Sequence, residues 1–189
     1  MAAPHTPQNA PADPGGGAVD LRRHANPLDA LAADHQRQRD MADGLWALAD
    51  ARDPDPELAR DLLGRIQREL PLHMQDEDAD LFPLLRRRAE PEDDIGEILS
   101  RLDAEHEELA GWQKAVLDGL KAVIAGDPLP DPMALRGFAE ANNRHMTLEN
   151  AVILPLARAR LTRDDLTSLR LRMAARRGID MTGEDEDAQ

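Results

Sequence analysis

The chain has 189 residues, with 23 Lys plus Arg against 37 Asp plus Glu and a net charge of -14. That length suits one domain with tails, and that charge repels phosphate backbones, which argues against nucleic acid as a partner. Two Trp, two Phe and no Tyr offer no base-stacking platform, and the absence of Cys removes disulfides, thiolate nucleophiles, iron–sulfur clusters and thiolate zinc sites. No run approaches the roughly 18–20 apolar residues of a membrane span, and no charged-then-apolar leader is seen, so a soluble cytoplasmic protein is expected.

Residues 1–25 are rich in Pro, Gly and Ala without an apolar period, which predicts a disordered leader in which His5 and His24 are solvated. Asn26-Pro27 is a helix start signal, a good N-cap followed by a residue suited to the first turn. The first helix is predicted to run to about Asp50, with Leu28, Leu31, Met41, Leu45 and Leu48 at helical spacing. A second pattern runs from Pro56 to about Arg88, where Pro71 and Pro83 predict a kink or local break. A third covers about 92–125, and a fourth runs from the Pro-rich turn at 126–132 to about Arg160, with Pro155 near its end. The segment Thr162-Arg-Asp-Asp resembles a capping box and opens a fifth, shorter helix that ends at Gly178. In that helix Leu166, Leu169 and Met173 share a face while Arg170, Arg172, Arg176 and Arg177 lie largely elsewhere. Packing against the bundle is the expected role, and a partner-binding helix is the alternative. The predicted fold is all-α: an antiparallel up-down four-helix bundle over 26–160, an additional C-terminal helix over 161–178 and an acidic disordered tail over 179–189.

Four histidines are organised. His73 is followed by Glu77 and Pro83, and His145 by Glu149 and Pro155, so each position of the first trio recurs 72 residues later. His35 follows Asp34 on the first helix and His106 follows Glu105 on the third, an offset of 71. The chain therefore reads as two helical hairpins of one design, each His…His-x-x-x-Glu. Residues i and i+4 share a helix face, so His73 with Glu77, and His145 with Glu149, can converge on one point. In a bundle the four inward faces meet, presenting four imidazoles and two carboxylates, a donor set suited to iron, manganese or zinc. Two octahedral ions need about twelve coordination positions. Four His, two bridging Glu and a bridging oxo or hydroxo group leave one open position on each ion. A core with these six residues and no metal would be costly to desolvate. Asp76 and Asp80 could also face the metals, but the acidic run Asp76–Asp80 is expected to be a solvated flank of the second helix, with Glu77 inward. Gln38, Gln113 and Asp103 are candidate partners for imidazole N–H groups, and Trp46, Trp112, Met74 and Met146 are expected to pack the bundle.

This motif set resembles the hemerythrin / HHE cation-binding family, over about residues 27–160, and the stretch from His73 through Glu77 to Pro83 is especially similar to the family's second-helix motif. The resemblance implies a non-haem di-iron centre held by His35, His73, Glu77, His106, His145 and Glu149, with both glutamates bridging; manganese or zinc are the alternative metals. Oxygen-carrying hemerythrins have a further His four residues after the third-helix one, where this chain has Ala110, and an Asp at the last carboxylate position, one residue further on, where it has Asn150 after Glu149. The more symmetric set is similar to bacterial HHE proteins linked to iron handling, nitric oxide and oxidative stress, and points away from reversible oxygen carriage. No Glu-x-x-His motif of ferritin-like oxidases, no Ser–His–Asp arrangement and no phosphate loop is present. The expected function is binding or sensing of O2, NO, peroxide or iron. The alternatives are a redox enzyme consuming peroxide or NO, and a structural module stapled by its metal.

Overall fold

The computed structural model describes residues 19–181, all helical apart from turns. The leader through residue 18 and the tail from residue 182 lie outside the described residues. Upstream of Asn26, a short turn at Leu21–Arg23 seats Leu21, fully buried, against the bundle.

The helices are α1 (Pro27–Asp50), α2 (Pro56–Arg68), α3 (Leu70–Asp76), α4 (Phe82–Arg88), α5 (Ile95–Ala125), α6 (Pro132–Leu148), α7 (Leu154–Arg160) and α8 (Arg163–Arg176). Three of them start on an Asx-Pro pair. The side chains of Asn26, Asp55 and Asp131 accept hydrogen bonds from first-turn N–H groups, and the following proline has no N–H to leave unpaired. Thr162 and Asp165 form a reciprocal capping box at α8, and Gly178, at φ 66°, lies just beyond its end.

Two long rods are continuous only through a widened turn. Between α3 and α4 the backbone forms a π-turn at Glu77–Leu81, and between α6 and α7 a second at Glu149–Ile153. Each begins on the glutamate of the repeated motif and ends two residues before its proline. Proline donates no backbone bond and crowds the preceding turn, so the local break predicted at Pro83 takes the form of one over-wide turn, a device often found at functional sites. Pro71 instead marks the junction of α2 and α3, one residue wide at Glu69.

The core has two apolar layers. One gathers Leu28 and Leu31 of α1, Phe82 and Leu85 of α4, Leu99 and Leu102 of α5, Ala157 of α7, and Leu169 and Met173 of α8. The other gathers Leu45 and Leu48 of α1, Leu62 and Ile66 of α2, Val116 and Leu120 of α5, and Leu135 and Phe138 of α6. The starts of α1 and α5 thus share a layer with the ends of the other two rods, the pairing expected if successive rods reverse direction. Between the layers every rod breaks its apolar stripe at one level. There the buried residues are polar: His35 and Gln38, then His73, Asp76, Glu77 and Asp80, then Glu105 and His106, then Asn142, His145 and Glu149.

Two expectations are corrected here. Asp76 and Asp80 are buried rather than a solvated flank, and the arginines of α8 are what cover them. Arg176 pairs with Asp76 and, at 2.6 Å, with Asp80; Arg172 reaches Asp80 at 2.8 Å and Arg177 reaches Asp76 at 2.6 Å. Arg172 and Arg176 of α8, with Arg177 just after it, therefore reach toward the bundle alongside Leu169 and Met173. No helix among the described residues is long and apolar enough to cross a membrane.

Candidate metal centre

The six residues singled out by the repeat meet in the polar layer. His35, His73, Glu77 and Glu149 each offer a donor atom within one group, and Glu77, His106 and His145 form a second group that shares Glu77 with the first. His106 is the most exposed at 8 %, while Glu149 at 0 % and the other four at 1–2 % are sealed. Of the two leader histidines, His5 lies outside the described residues, and His24 ends the turn before α1 and belongs to neither group.

Glu77 lies between the two histidine pairs. Its Oε1 is 3.0 Å from His73 Nε2 and 3.6 Å from His35 Nε2, and its Oε2 is 3.5 Å from His106 Nε2 and 3.9 Å from His145 Nε2. One oxygen therefore addresses the first hairpin's histidines and the other the second hairpin's. Glu149 Oε2 crosses between hairpins, 3.2 Å from His35 Nε2 and 3.3 Å from His145 Nε2. The Nε2 atoms of His106 and His145 approach to 3.1 Å. Two nitrogens bound to one ion at right angles, each at about 2.1 Å, stand about 3 Å apart, so this hydrogen-bond spacing also fits neighbouring ligands on a metal.

All four Nε2 atoms point inward because all four Nδ1 atoms face an oxygen on the outer side. His35 Nδ1 meets Asn150 Oδ1 at 3.1 Å, and His106 Nδ1 meets Asp78 Oδ1 at 3.0 Å. His145 Nδ1 faces Glu105 at 3.4 Å and His73 Nδ1 faces Asp34 at 3.9 Å, both longer contacts. At His35 and His106 the acceptor on Nδ1 favours the proton there and Nε2 as the inward donor atom, whereas His73 and His145 Nδ1 are buried without a hydrogen-bond partner. Asn150 is itself anchored, its Nδ2 donating to the Met146 carbonyl at 2.7 Å.

These outer partners are not the ones the sequence suggested. Asp103 pairs with Arg86 at the surface, Gln113 makes none of the imidazole contacts, and Gln38 lies beside His73 in a small cavity with its amide unbonded. The actual set follows a rule visible in the chain. The residue before each first histidine (Asp34, Glu105) faces the second histidine of its own hairpin, and the residue after each glutamate (Asp78, Asn150) faces the first histidine of the other. Those four positions repeat at the same 71- and 72-residue offsets as the histidines and glutamates themselves.

The electrostatics follow. Burial alone would lower the imidazole pKa values, but the carboxylates prevail: Glu149 and Glu77 lift His145 to about 10, and Asp78 and Glu77 lift His106 to about 9. His35 and His73 are also raised against the pull of burial. Burial pushes Glu77 upward, yet the His73 charge and the facing His106, His145 and His35 imidazoles hold it well below the ordinary carboxylate range. The cluster thus sets four proton-binding imidazoles against buried carboxylates, and a metal cation would bind there by displacing imidazole protons.

The family model for the hemerythrin HHE cation binding domain matches residues 26–157. The chain belongs to the hemerythrin HHE cation-binding family. Comparison with curated proteins finds no matching relative. The match begins at the Asn26 cap and ends within α7, so it contains every residue of the two His/Glu groups and leaves α8 outside. The hemerythrin HHE bundle is a metal-binding fold, and this chain's His/Glu groups can hold a metal.

Proposed function

We propose that this hemerythrin HHE chain holds two non-haem iron ions, His35 and His73 serving one, His106 and His145 the other, with Glu77 and Glu149 and an oxo or hydroxo group between them. The observation that carries this reading is Glu77, which turns one oxygen to each histidine pair. The protein itself leaves the inward atoms unsatisfied: His35 Nε2, His73 Nε2, Glu77 Oε2 and both Glu149 oxygens are buried without a hydrogen-bond partner. Buried polar atoms are rarely left so unless something else binds them, and nitrogen with carboxylate oxygen fits iron, manganese or zinc.

Iron held by these residues would supply one-electron chemistry and could take up a small ligand. The chain's own residues set the terms of access. Phe82 stacks on the His106 ring with centroids 6.0 Å apart, and the sealed polar layer excludes bulky molecules. A surface depression lined by Met74, Asp78, His106 and Ala110 brings solvent to the His106 edge. With Ala110 offering no nitrogen at that point, the donor set is closed at four imidazoles. A centre of this kind binds or senses O2, NO, peroxide or iron itself rather than carrying oxygen reversibly.

The test is metal analysis of iron-reconstituted protein with absorption spectra before and after azide or NO. Two ions per chain and a spectrum that responds to the added ligand are expected. One ion or none, reproducibly, defeats the bridged arrangement.

A further inference from the structure

The two hairpins repeat their histidines, glutamates and outer partners, but they do not repeat what holds those partners. Glu105, which faces His145, is gripped from within the bundle: Arg101 Nε donates to it at 3.0 Å and Arg144 Nε stands at 3.8 Å. The corresponding positions of the first hairpin are Ala30 and Leu72, which carry no charge. Asp34, the counterpart of Glu105, is held instead by Arg177, whose Nη2 donates to its Oδ2 at 3.4 Å. Arg177 follows the last turn of α8, beyond the residues that the family model matches.

Arg177 is built for this place. Its side chain is 3 % exposed, the same Nη2 pairs with Asp76 at 2.6 Å, and its Nη1 donates to the Met173 carbonyl at 3.1 Å. Arg176 and Arg172 secure Asp76 and Asp80 beside it, one residue before and three after Glu77. The second hairpin has Leu148 and Val152 where these aspartates stand, so it neither needs nor receives such a clasp. A buried arginine against buried carboxylates is retained at a desolvation cost, and removing one partner leaves the other charge uncompensated.

We propose that α8 is a working part of the metal centre: Arg177 is a positioning residue that acts through Asp34 on His73, so the two halves of the centre depend on different parts of the chain. This rests on the two-ion reading above. Arg177 holds the Asp34 carboxylate 3.9 Å from His73 Nδ1, on the far side of the ring from the Nε2 that meets Glu77, so its charge favours the orientation with Nε2 inward, as Glu105, held by Arg101, stands 3.4 Å from His145 Nδ1. Loss of an outer partner of a metal ligand typically weakens metal binding 10–100-fold. Arg177 stands one step further out, so a loss of about tenfold, confined to one of two ions, is expected.

The experiment is an anaerobic cobalt(II) titration of the full chain, followed by absorption, on the unaltered protein and on Arg177→Met, Asp34→Asn and the double variant. Thermal melting of the cobalt-free proteins checks folding. The expected result is two binding steps in the unaltered protein. Arg177→Met weakens one step about tenfold and spares the other. The double variant loses no more than Asp34→Asn alone, because both changes break one chain of contacts. Equal weakening of both steps, no weakening, or additive losses overturns the inference. If Arg177→Met fails to fold, Asp34→Asn decides: selective loss of one step supports the link and unchanged binding sinks it. Fewer than two steps in the unaltered protein defeats the two-ion reading itself, an outcome distinct from the others.

Discussion

At the scale of single residues, Glu77 and the histidines are not equivalent, and the difference is measurable. Glu77 addresses both histidine pairs, whereas His73 Nε2 meets Glu77 Oε1 on the first hairpin's side. Glu77→Ala should therefore abolish binding of both ions, while His73→Ala should lower the iron content to about one ion per chain if each pair serves one ion. Metal analysis of the two purified variants checks this, and equal metal loss in both would refute the pairing. The convergence of these side chains was legible in the sequence because i, i+4 spacing fixes a helix face and the 72-residue repeat fixes a level. Their outer partners were harder to read. Gln38, Gln113 and Asp103 lie within two turns of a histidine on the same helix, but the imidazole edges are served across helices by Asp34, Asp78, Glu105 and Asn150. Which edge of a ring faces a neighbouring helix depends on the rotation of both rods, and no single-helix spacing encodes that.

Among the elements, α8 is where sequence and structure part furthest. Its apolar residues announce one packed face, and four arginines near them read as a solvated remainder. Three of those arginines are spent on Asp34, Asp76 and Asp80, partners more than ninety residues away in the chain. Long-range charge pairing has no period, so the acidic run and the basic helix each look like surface when read alone. The N-terminus of α8 was legible, since a capping box is a local pattern. Asp165 accepts from Thr162 N–H and Oγ1–H and from Arg88, and the Arg88 hydrogen bonds above all hold it down at about 2, against the upward push of burial. A carboxyl lowered on folding stabilises above its unfolded pKa and loses that contribution as pH falls through its folded one. Asp165→Ala removes the capping-box acceptor of Thr162 N–H and the partner of Arg88, and should cost about 1 kcal/mol at pH 7, the usual net worth of a hydrogen bond. In acid melts the gap from the unaltered protein should narrow below about pH 4 and close near 2. A gap that persists unchanged to pH 2 would show that the charge on Asp165 is not what holds the end of α8.

For the whole molecule, the polar layer interrupts two apolar layers that would otherwise be one core, and its stability is tied to what its imidazoles bind. An unperturbed imidazole exchanges its proton near pH 6.5, which is all that the sequence offers. Facing carboxylates move that exchange to about 9 at His106 and about 10 at His145. Because these pKa values are raised on folding, the proton's contribution is fully present below about 6.5 and is lost as pH rises through 9 to 10. Metal competes for the same nitrogens and must displace those protons, so it gains ground over the same interval. A ligand that binds only the folded state stabilises it by mass action, in proportion to the logarithm of its concentration over its Kd. Melting temperatures of chelator-treated and zinc-loaded protein should therefore differ little at pH 5, clearly at pH 7 and most at pH 9, with the chelator-treated form falling as the loaded form holds. Zinc is the suitable probe because it takes the same donors without redox change. A gap that is largest at pH 5, or equal melting temperatures at pH 9, would mean that the imidazoles do not exchange protons for metal in the folded core.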